Sequence, residues 1–452
     1  STSLNFKETP YAKNLSELKE RWRKRFKLST LDRFVTKKEQ ELSKKDKDSS
    51  YLIKPEIILE KEARLLTLQN IDDYFEMVGE VVRKDYFSLF VNSVVTEFDP
   101  HTYYFPPKEK ELFDTNMSGK FEGIGARLSK RQEKVKIVEV ISGGPVWKND
   151  LLQAGDEILM VAQPNEEPID ISGMRLDDSI KLIKGPKGTN VILTIKRVNG
   201  VVEDVTIERD VVILEESYAK SAIINKDQKK YGLIELPKFY VDFKDYGERN
   251  AATDVKKVLE QFKSSSVDGI VIDLRNNGGG SLKTVVDMTG YFIEKGPVVQ
   301  VKSTGGRKEV LEDTDPSLIW DGPLVVLVNE FSASASEILA AALQDYRRAI
   351  ILGSNQTYGK GTVQNVIDLN RIISVNQYGD LGALKMTTDK FYRINGGSTQ
   401  LEGVKSDIVF PSRYNSIEIG EKDQSNPLAW DRISPANYSS WNKNIQYNYI
   451  IS

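Results

Sequence analysis

Three serines, one lysine and a run of glycines are the residues of this chain whose types and spacing can do chemistry. In Pro323–Gln364, PLVVLVNEFSASASEILAAALQDYRRAIILGSNQTYGKGTVQ, an apolar strand runs into a turn where Ser332, Ser334 and Ser336 alternate with alanine before Glu337 and an alanine-rich helix. A hydroxyl at a strand-to-helix turn is open to substrate and lies near the positive end of the helix dipole. Backbone N–H groups beside it are free to hold an oxyanion. That arrangement suits acyl transfer through a serine nucleophile. Helix capping is the competing use of the same turn, and spacing alone leaves the choice among the three serines open.

Lys360 weighs against simple capping. It stands in Tyr358-Gly359-Lys360-Gly361-Thr362, framed by glycines after the strand AIILG. Burial lowers a lysine pKa by up to ~3–5 units, enough to leave it neutral near pH 7 and able to take a serine proton. The pair is then a Ser-Lys dyad, a nucleophile and base that need no histidine. In an extended segment Gln364, four residues on, shares a face with Lys360 and is expected to orient its amine. Asn277-Gly278-Gly279-Gly280 ends the buried strand VDGIVIDLRN. The N–H groups of Gly278 and Gly279 are expected to complete an oxyanion hole with that of Ala335.

Composition narrows the alternatives. The 452 residues include a single histidine, His101, and no cysteine. Thiolate catalysis, disulfides and zinc sites built on two histidines are excluded. A Ser-His-Asp triad would have to use His101, which sits in the proline-rich DPHTYYFPP and is expected to be structural. Lys plus Arg number 63 against 66 Asp plus Glu, so no electrostatic case exists for nucleic acid as a partner. No apolar run approaches the ~20 residues of a spanning helix, and STSLNFKETP lacks the pattern of a signal peptide. That start fits either a cytosolic protein or one whose leader has been removed.

The elements that must position these residues fall into four stretches. Residues 1–116 are rich in Lys, Glu, Leu and Arg with apolar residues three and four apart, which predicts amphipathic helices. Residues 117–213 switch to short glycine-broken strands and two helices, a short one after the Gly143-Gly144-Pro145 turn and one from Arg175 to Ile183. Residues 214–411 alternate strands and helices: a strand over YGLIELPKFY, a helix over DFKDYGERNAATDVKKVLEQFKSSS, then VDGIVIDLRNNGGG, SLKTVVDMTGYFI and PVVQVKS. This order predicts an α/β layer structure on a largely parallel sheet. Residues 412–452 form a polar, aromatic extension expected to pack on the preceding domain.

The second stretch resembles a PDZ domain in the circularly permuted arrangement common in bacterial proteases. Phe121, Glu122, Gly123, Ile124 and Gly125 match its carboxylate-binding loop, and the helix from Arg175 matches the far wall of its groove. Glycine-rich backbone receives a terminal carboxylate while an open strand edge pairs with the ligand chain.

Across residues 98–411 the chain resembles the C-terminal processing peptidases, in particular the long tail-specific branch of the bacterial periplasm. The likeness is carried by Asp99-Pro100-His101-Thr102, the EGIGA loop, RLDD then IKGPKG, DLRNNGGGSL, FSASASEI with ALQDYRRA, TYGKGTVQ, and KFYRINGGSTQ. It implies an α/β multidomain protein: a crotonase-like protease core with an inserted PDZ domain and an N-terminal helical region. By this resemblance Ser334 is the nucleophile and Lys360 the base, with Gln364 supporting it. Glu337, Thr357 and Asp345 match positions tied to full activity. Asp345, about three helical turns from Ser334, is expected to be structural. The loop Gly353–Thr357 is one residue longer than the family's usual pattern. The resemblance further implies an exported, periplasmic enzyme without cofactor or metal, acting on proteins with apolar C-terminal tails. Adaptor and oligomeric state stay open. A non-catalytic PDZ scaffold and a crotonase-like enzyme for small acyl compounds are the competing classes.

Overall fold

The computed structural model describes residues 10–373, 375–414 and 417–441. The first residues of STSLNFKETP and the last eleven of the C-terminal extension lie outside it.

The N-terminal region is helical, as its periodicity predicts. Leu15–Lys47 and Glu56–Gly79 form an antiparallel hairpin, fastened by Lys37–Glu62 (2.9 Å) and Lys38–Glu56 (2.5 Å). Asn14 caps the first helix by accepting from Glu17 N, and Lys44, Lys45 and Lys47 line its last turn, where cations suit the dipole. A third helix, Arg83–Val95, leads to the DPHT turn, and Pro107–Ser118 follows.

The PDZ unit hangs from a two-stranded ribbon in which Lys120–Gly123 pairs antiparallel with Asp210–Ile213. Beyond the ribbon, Ala126–Arg131 is the edge strand of a separate six-stranded sheet, and the helix Leu176–Ile183 packs beside it. Val135, Ile137, Ile158, Val191, Leu193 and Ile207 fill a core of its own. The N-terminal helices meet this unit through charge. Lys130 faces Glu76 (3.7 Å) and Glu80, Arg131 faces Asp73 (3.9 Å), and Arg175 faces Asp85 (3.2 Å).

In the α/β core, Lys229–Glu235, Gly269–Asp273, Leu324–Val328, Ile350–Gly353 and Ile408–Val409 run parallel, with Lys220–Lys226 antiparallel at one edge. A second, antiparallel sheet contains Tyr103–Phe105, Gly296–Ser303, Lys308–Asp313, Thr362–Asp368 and Ala383–Tyr392. The helix Ala335–Asp345 is buried from Ala335 to Leu343 and packs on strands of both sheets. The whole is an α/β multidomain protein in which the unit carried on the ribbon is inserted between the helical region and the two-sheet core.

Several boundaries differ from the expectation. The strand expected over YGLIELPKFY runs instead from Lys229 to Glu235, because Pro237 lacks the N–H a ladder needs. The helix expected from Asp242 starts only at Ala251. Asp242 and Asp245 first accept from the backbone of Lys244 and Gly247, and Asn250 then caps by accepting from Thr253 N at 3.0 Å. Tyr103–Phe105 is a strand although prolines follow it, and LEGVKSDIVFP contributes only Ile408–Val409.

Candidate active site

The turn after Leu324–Val328 separates the three serines by their hydrogen bonds. Ser332 is fully buried; its hydroxyl donates to Leu274 O (2.8 Å) and accepts from Asn329 N (2.9 Å). Ser336, equally buried, donates to Asn277 O (2.9 Å). Ser334 is partly exposed and its side chain makes no cap hydrogen bond. Its backbone stands at φ 57°, ψ −113°, a sparsely populated conformation for a non-glycine residue. Two hydroxyls hold the turn, and the third is presented from it.

Glu337 locks that strained turn to the lysine loop. The fully buried carboxylate accepts from Ser334 N (2.7 Å) and Lys360 N (3.0 Å) on one oxygen, and from Thr357 Oγ1 (2.6 Å) and Gly359 N (2.7 Å) on the other. Burial pushes its pKa up to about 7, against the pull of these four donors. Thr357 Oγ1 in turn accepts from Val404 N (2.7 Å).

Lys360 is partly buried. Loss of hydration first, and the neighbouring Lys385 ammonium second, lower its pKa to about 8, while Glu421, Glu337 and Asp99 oppose the fall. No hydrogen bond joins its ammonium to Ser334 Oγ in this arrangement, nor to Gln364. Gln364 Nε2 donates instead to Thr362 Oγ1 (2.9 Å) and Thr387 Oγ1 (3.1 Å). A regular strand would put Gln364 on the face of Lys360, but the pairing register shifts between Val363 and Gln364. Such a bulge breaks the alternation of side chains. Thr387 passes the contact on to Asp99 Oδ1 (2.8 Å), in the DPHT turn.

Gly279 packs directly against the serine turn. At φ +103° a Cβ there would lie 2.8 Å from Ser334 Cβ and 3.0 Å from Ala335 N, so no other residue fits. Its own N–H is taken by Asn277 Oδ1 (2.9 Å). The N–H groups of Gly278 and Ala335 have no acceptor among the described residues, which leaves these two as the available donors. Asn277, unnoticed in the sequence beyond its place in the motif, also donates to Leu236 O (2.8 Å) and so ties the loop to the first parallel strand.

Asp345 is at the far end of the helix. Its carboxylate accepts from Arg393 Nη2 (2.7 Å), Arg393 Nε (3.1 Å) and Asn395 Nδ2 (2.8 Å). With Arg393 only 16% exposed, Asp345→Ala strands a cation and should cost about 3 kcal/mol of stability. A denaturant midpoint lowered with kcat of the folded fraction unchanged is the expected reading. His101 Nε2 contacts Glu421 Oε2 at 2.8 Å rather than any serine.

In the PDZ unit, Phe121, Glu122 and Gly123 belong to the supporting ribbon, so the loop proper is Ile124 and Gly125. Gly125 sits at φ +82°, and a Cβ would lie 3.0 Å from Gly144 Cα. Gly125→Val should therefore weaken binding of a C-terminal tail peptide at least ~10-fold, read by fluorescence anisotropy. Among the described residues no acidic or histidine cluster suits a metal ion, and no helix is long and apolar enough to cross a membrane.

This geometry can be set beside known proteins. Residues 230–410 match peptidase family S41 and residues 114–196 a PDZ domain. Residues 1–108 match a tail specific protease N-terminal domain, and 414–450 a C-terminal domain of tail specific protease. The chain is 41% identical over 355 residues to the tail-specific protease of Haemophilus influenzae, covering 78% of this chain and 50% of that protein. It thus spans about half the length of that relative. A carboxy-terminal-processing protease of Bartonella bacilliformis is 32% identical over 339 residues, covering 73% of this chain and 71% of that one. A solved PDZ domain of a carboxy-terminal protease from Vibrio cholerae, in complex with peptide, is 39% identical, covering 21% of this chain and 97% of that one at a TM-score of 0.20. With a carboxy-terminal-processing protease matched over 71% of its length and the family S41 model matched over residues 230–410, the chain belongs to the C-terminal processing peptidases of family S41.

Proposed function

We propose that this chain is a serine endopeptidase that takes protein substrates by apolar C-terminal tails in its PDZ groove and cleaves them through Ser334. The observation that carries this reading is the Glu337 carboxylate, which binds the backbone of Ser334 and of Lys360 at once. A buried group that costs desolvation to keep is spent on fixing one loop against the other.

In the proposed reaction Lys360, neutral, accepts the Ser334 proton as Oγ attacks the scissile carbonyl carbon. The oxyanion is held by the N–H groups of Ala335 and Gly278. Collapse breaks the C–N bond, and the Lys360 ammonium returns its proton to the leaving amine. Water, deprotonated by Lys360, then releases the acyl group and restores the serine.

The missing hydrogen bond between Ser334 and Lys360 fits a resting arrangement that tail binding shifts. A physical route exists for such a shift. Just before the ribbon, Asn116 O accepts from Lys238 Nζ (2.8 Å) and Met117 O from Val241 N (2.9 Å). Between those residues, Phe239 N donates to Gly279 O (2.9 Å) in the oxyanion loop. The reading also places the enzyme outside the cytoplasm, in the periplasm, as an exported protein.

The test is digestion of one unfolded protein carrying either an apolar or a charged C-terminal tail. Preference for the apolar tail, lost on Gly125→Val, supports the reading. Cleavage indifferent to both the tail and the PDZ variant favours an enzyme for small acyl compounds, and no cleavage at all favours a binding scaffold.

A further inference from the structure

The C-terminal extension contributes a buried carboxylate that touches the lysine loop on both sides. Glu421 is fully buried. Its N–H donates to Tyr358 O (2.9 Å), two residues before Lys360. Its Oε1 accepts from Gln400 Nε2 (2.9 Å), and Gln400 Oε1 accepts from Gly361 N (2.8 Å), one residue after Lys360. The other oxygen is taken by His101 Nε2 at 2.8 Å. Gln400 is fully buried too and is further held by donating to Leu428 O (3.0 Å) in the same extension. Nearby, Gln424 Nε2 donates to the Tyr358 hydroxyl (2.8 Å).

We propose that Glu421 is a positioning residue for the Lys360 base, bracing its loop through Tyr358 and Gln400 and supplying the negative charge that the lysine faces from the extension. This rests on Lys360 being the base. It accounts for the single histidine of the chain: the half-buried His101 is the partner of the Glu421 carboxylate. It also gives the extension a part in the reaction although it carries none of the reacting groups.

The charges facing Lys360 are Lys385 from the strand Ala383–Tyr392, Glu337 from the nucleophile helix, Asp99 from the DPHT turn and Glu421 from the extension. Lys385 favours the neutral amine, and the three carboxylates favour the ammonium. Removing one carboxylate therefore lowers the lysine pKa, and the acid limb of the pH–rate profile, where the base becomes protonated, moves to lower pH.

The experiment is the pH dependence of kcat/KM for a tailed protein substrate, with thermal melts to verify folding, for the native chain, Glu421→Gln, Glu421→Asp and Lys360→Ala. Glu421→Gln keeps the shape and removes the charge; its upper acid-limb midpoint should fall by about half a unit to one unit. Glu421→Asp keeps the charge and shortens the reach; it should hold the native midpoint and lose roughly tenfold in kcat, as a displaced base does. A Glu421→Gln profile superimposed on the native one, with Lys360→Ala inactive, overturns the brace alone. An active Lys360→Ala removes the base assignment, and the brace with it.

Discussion

Ser334→Ala should reduce cleavage of a tailed, unfolded substrate by at least ~10³-fold while leaving the affinity for a tail peptide unchanged. The hydroxyl is the only group removed, and the neighbouring serines cannot replace it. Ser332 and Ser336 are buried and spend their hydroxyls on Leu274 O and Asn277 O. Lys360→Ala should be as inactive, since residues that act as a unit fail together. The lysine carries a second, opposite signature in stability. Its pKa is lowered to about 8, whereas an unfolded lysine titrates near 10.4. A depressed folded pKa means that the stability present above the unfolded value is lost as pH falls through about 8. Replacement by methionine should therefore stabilise the fold below pH 8, by ~1–2 kcal/mol after allowance for partial solvent access, and by little above pH 10.5. Thermal melts across that range measure it; a variant both inactive and destabilised at pH 7 would argue that Lys360 is a structural turn residue.

Glu337→Gln should be nearly as damaging, and by a different route. Four donors converge on the two carboxylate oxygens. An amide offers one accepting oxygen and turns its NH₂ toward the other two donors, so the turn and the lysine loop can no longer both be held. A loss of ~3 kcal/mol or more in stability and of ~10²-fold or more in kcat follows. Protonation does part of the same damage. Because burial raises the Glu337 pKa to about 7, the carboxylate form is lost as pH drops through that value, just below the range in which Lys360 becomes charged. Activity should then fall toward acid with a log slope steeper than one proton accounts for, approaching two below pH 7. A single-proton acid limb in the native chain, paired with a fully active Glu337→Gln, would show that the clamp is not needed.

How much of this was legible in the residues depends on how local each signal is. The nucleophile turn, the lysine between glycines and the glycine run are contiguous patterns, each readable within a few positions. The helical N-terminal stretch and the alternation of strands and helices follow from periodicity in the same way. Choosing Ser334 among three serines took the family resemblance, because the hydrogen bonds that occupy Ser332 and Ser336 come from residues 58 and 59 positions away. Gln364 was read on strand alternation and met a bulge, which no local pattern announces. Glu421 had no local signature, and Gln400 stood only as the last residue of KFYRINGGSTQ. One follows an ordinary glycine, the other ends a polar run, and only the fold brings them to the lysine loop. The strand Lys220–Lys226 leaves no apolar period in the sequence, because it is exposed along its length and has no buried face.

The way the PDZ unit meets the N-terminal helices has a consequence for how it can move. Four acidic residues, Asp73, Glu76, Glu80 and Asp85, face Lys130, Arg131 and Arg175 across that contact, while the apolar core of the unit is its own. Contacts of this kind weaken with added salt over a Debye length of about 8 Å at physiological ionic strength, whereas packed cores do not. The unit is therefore moored rather than welded. Its orientation can be released by ions or by a charged ligand with both folds intact.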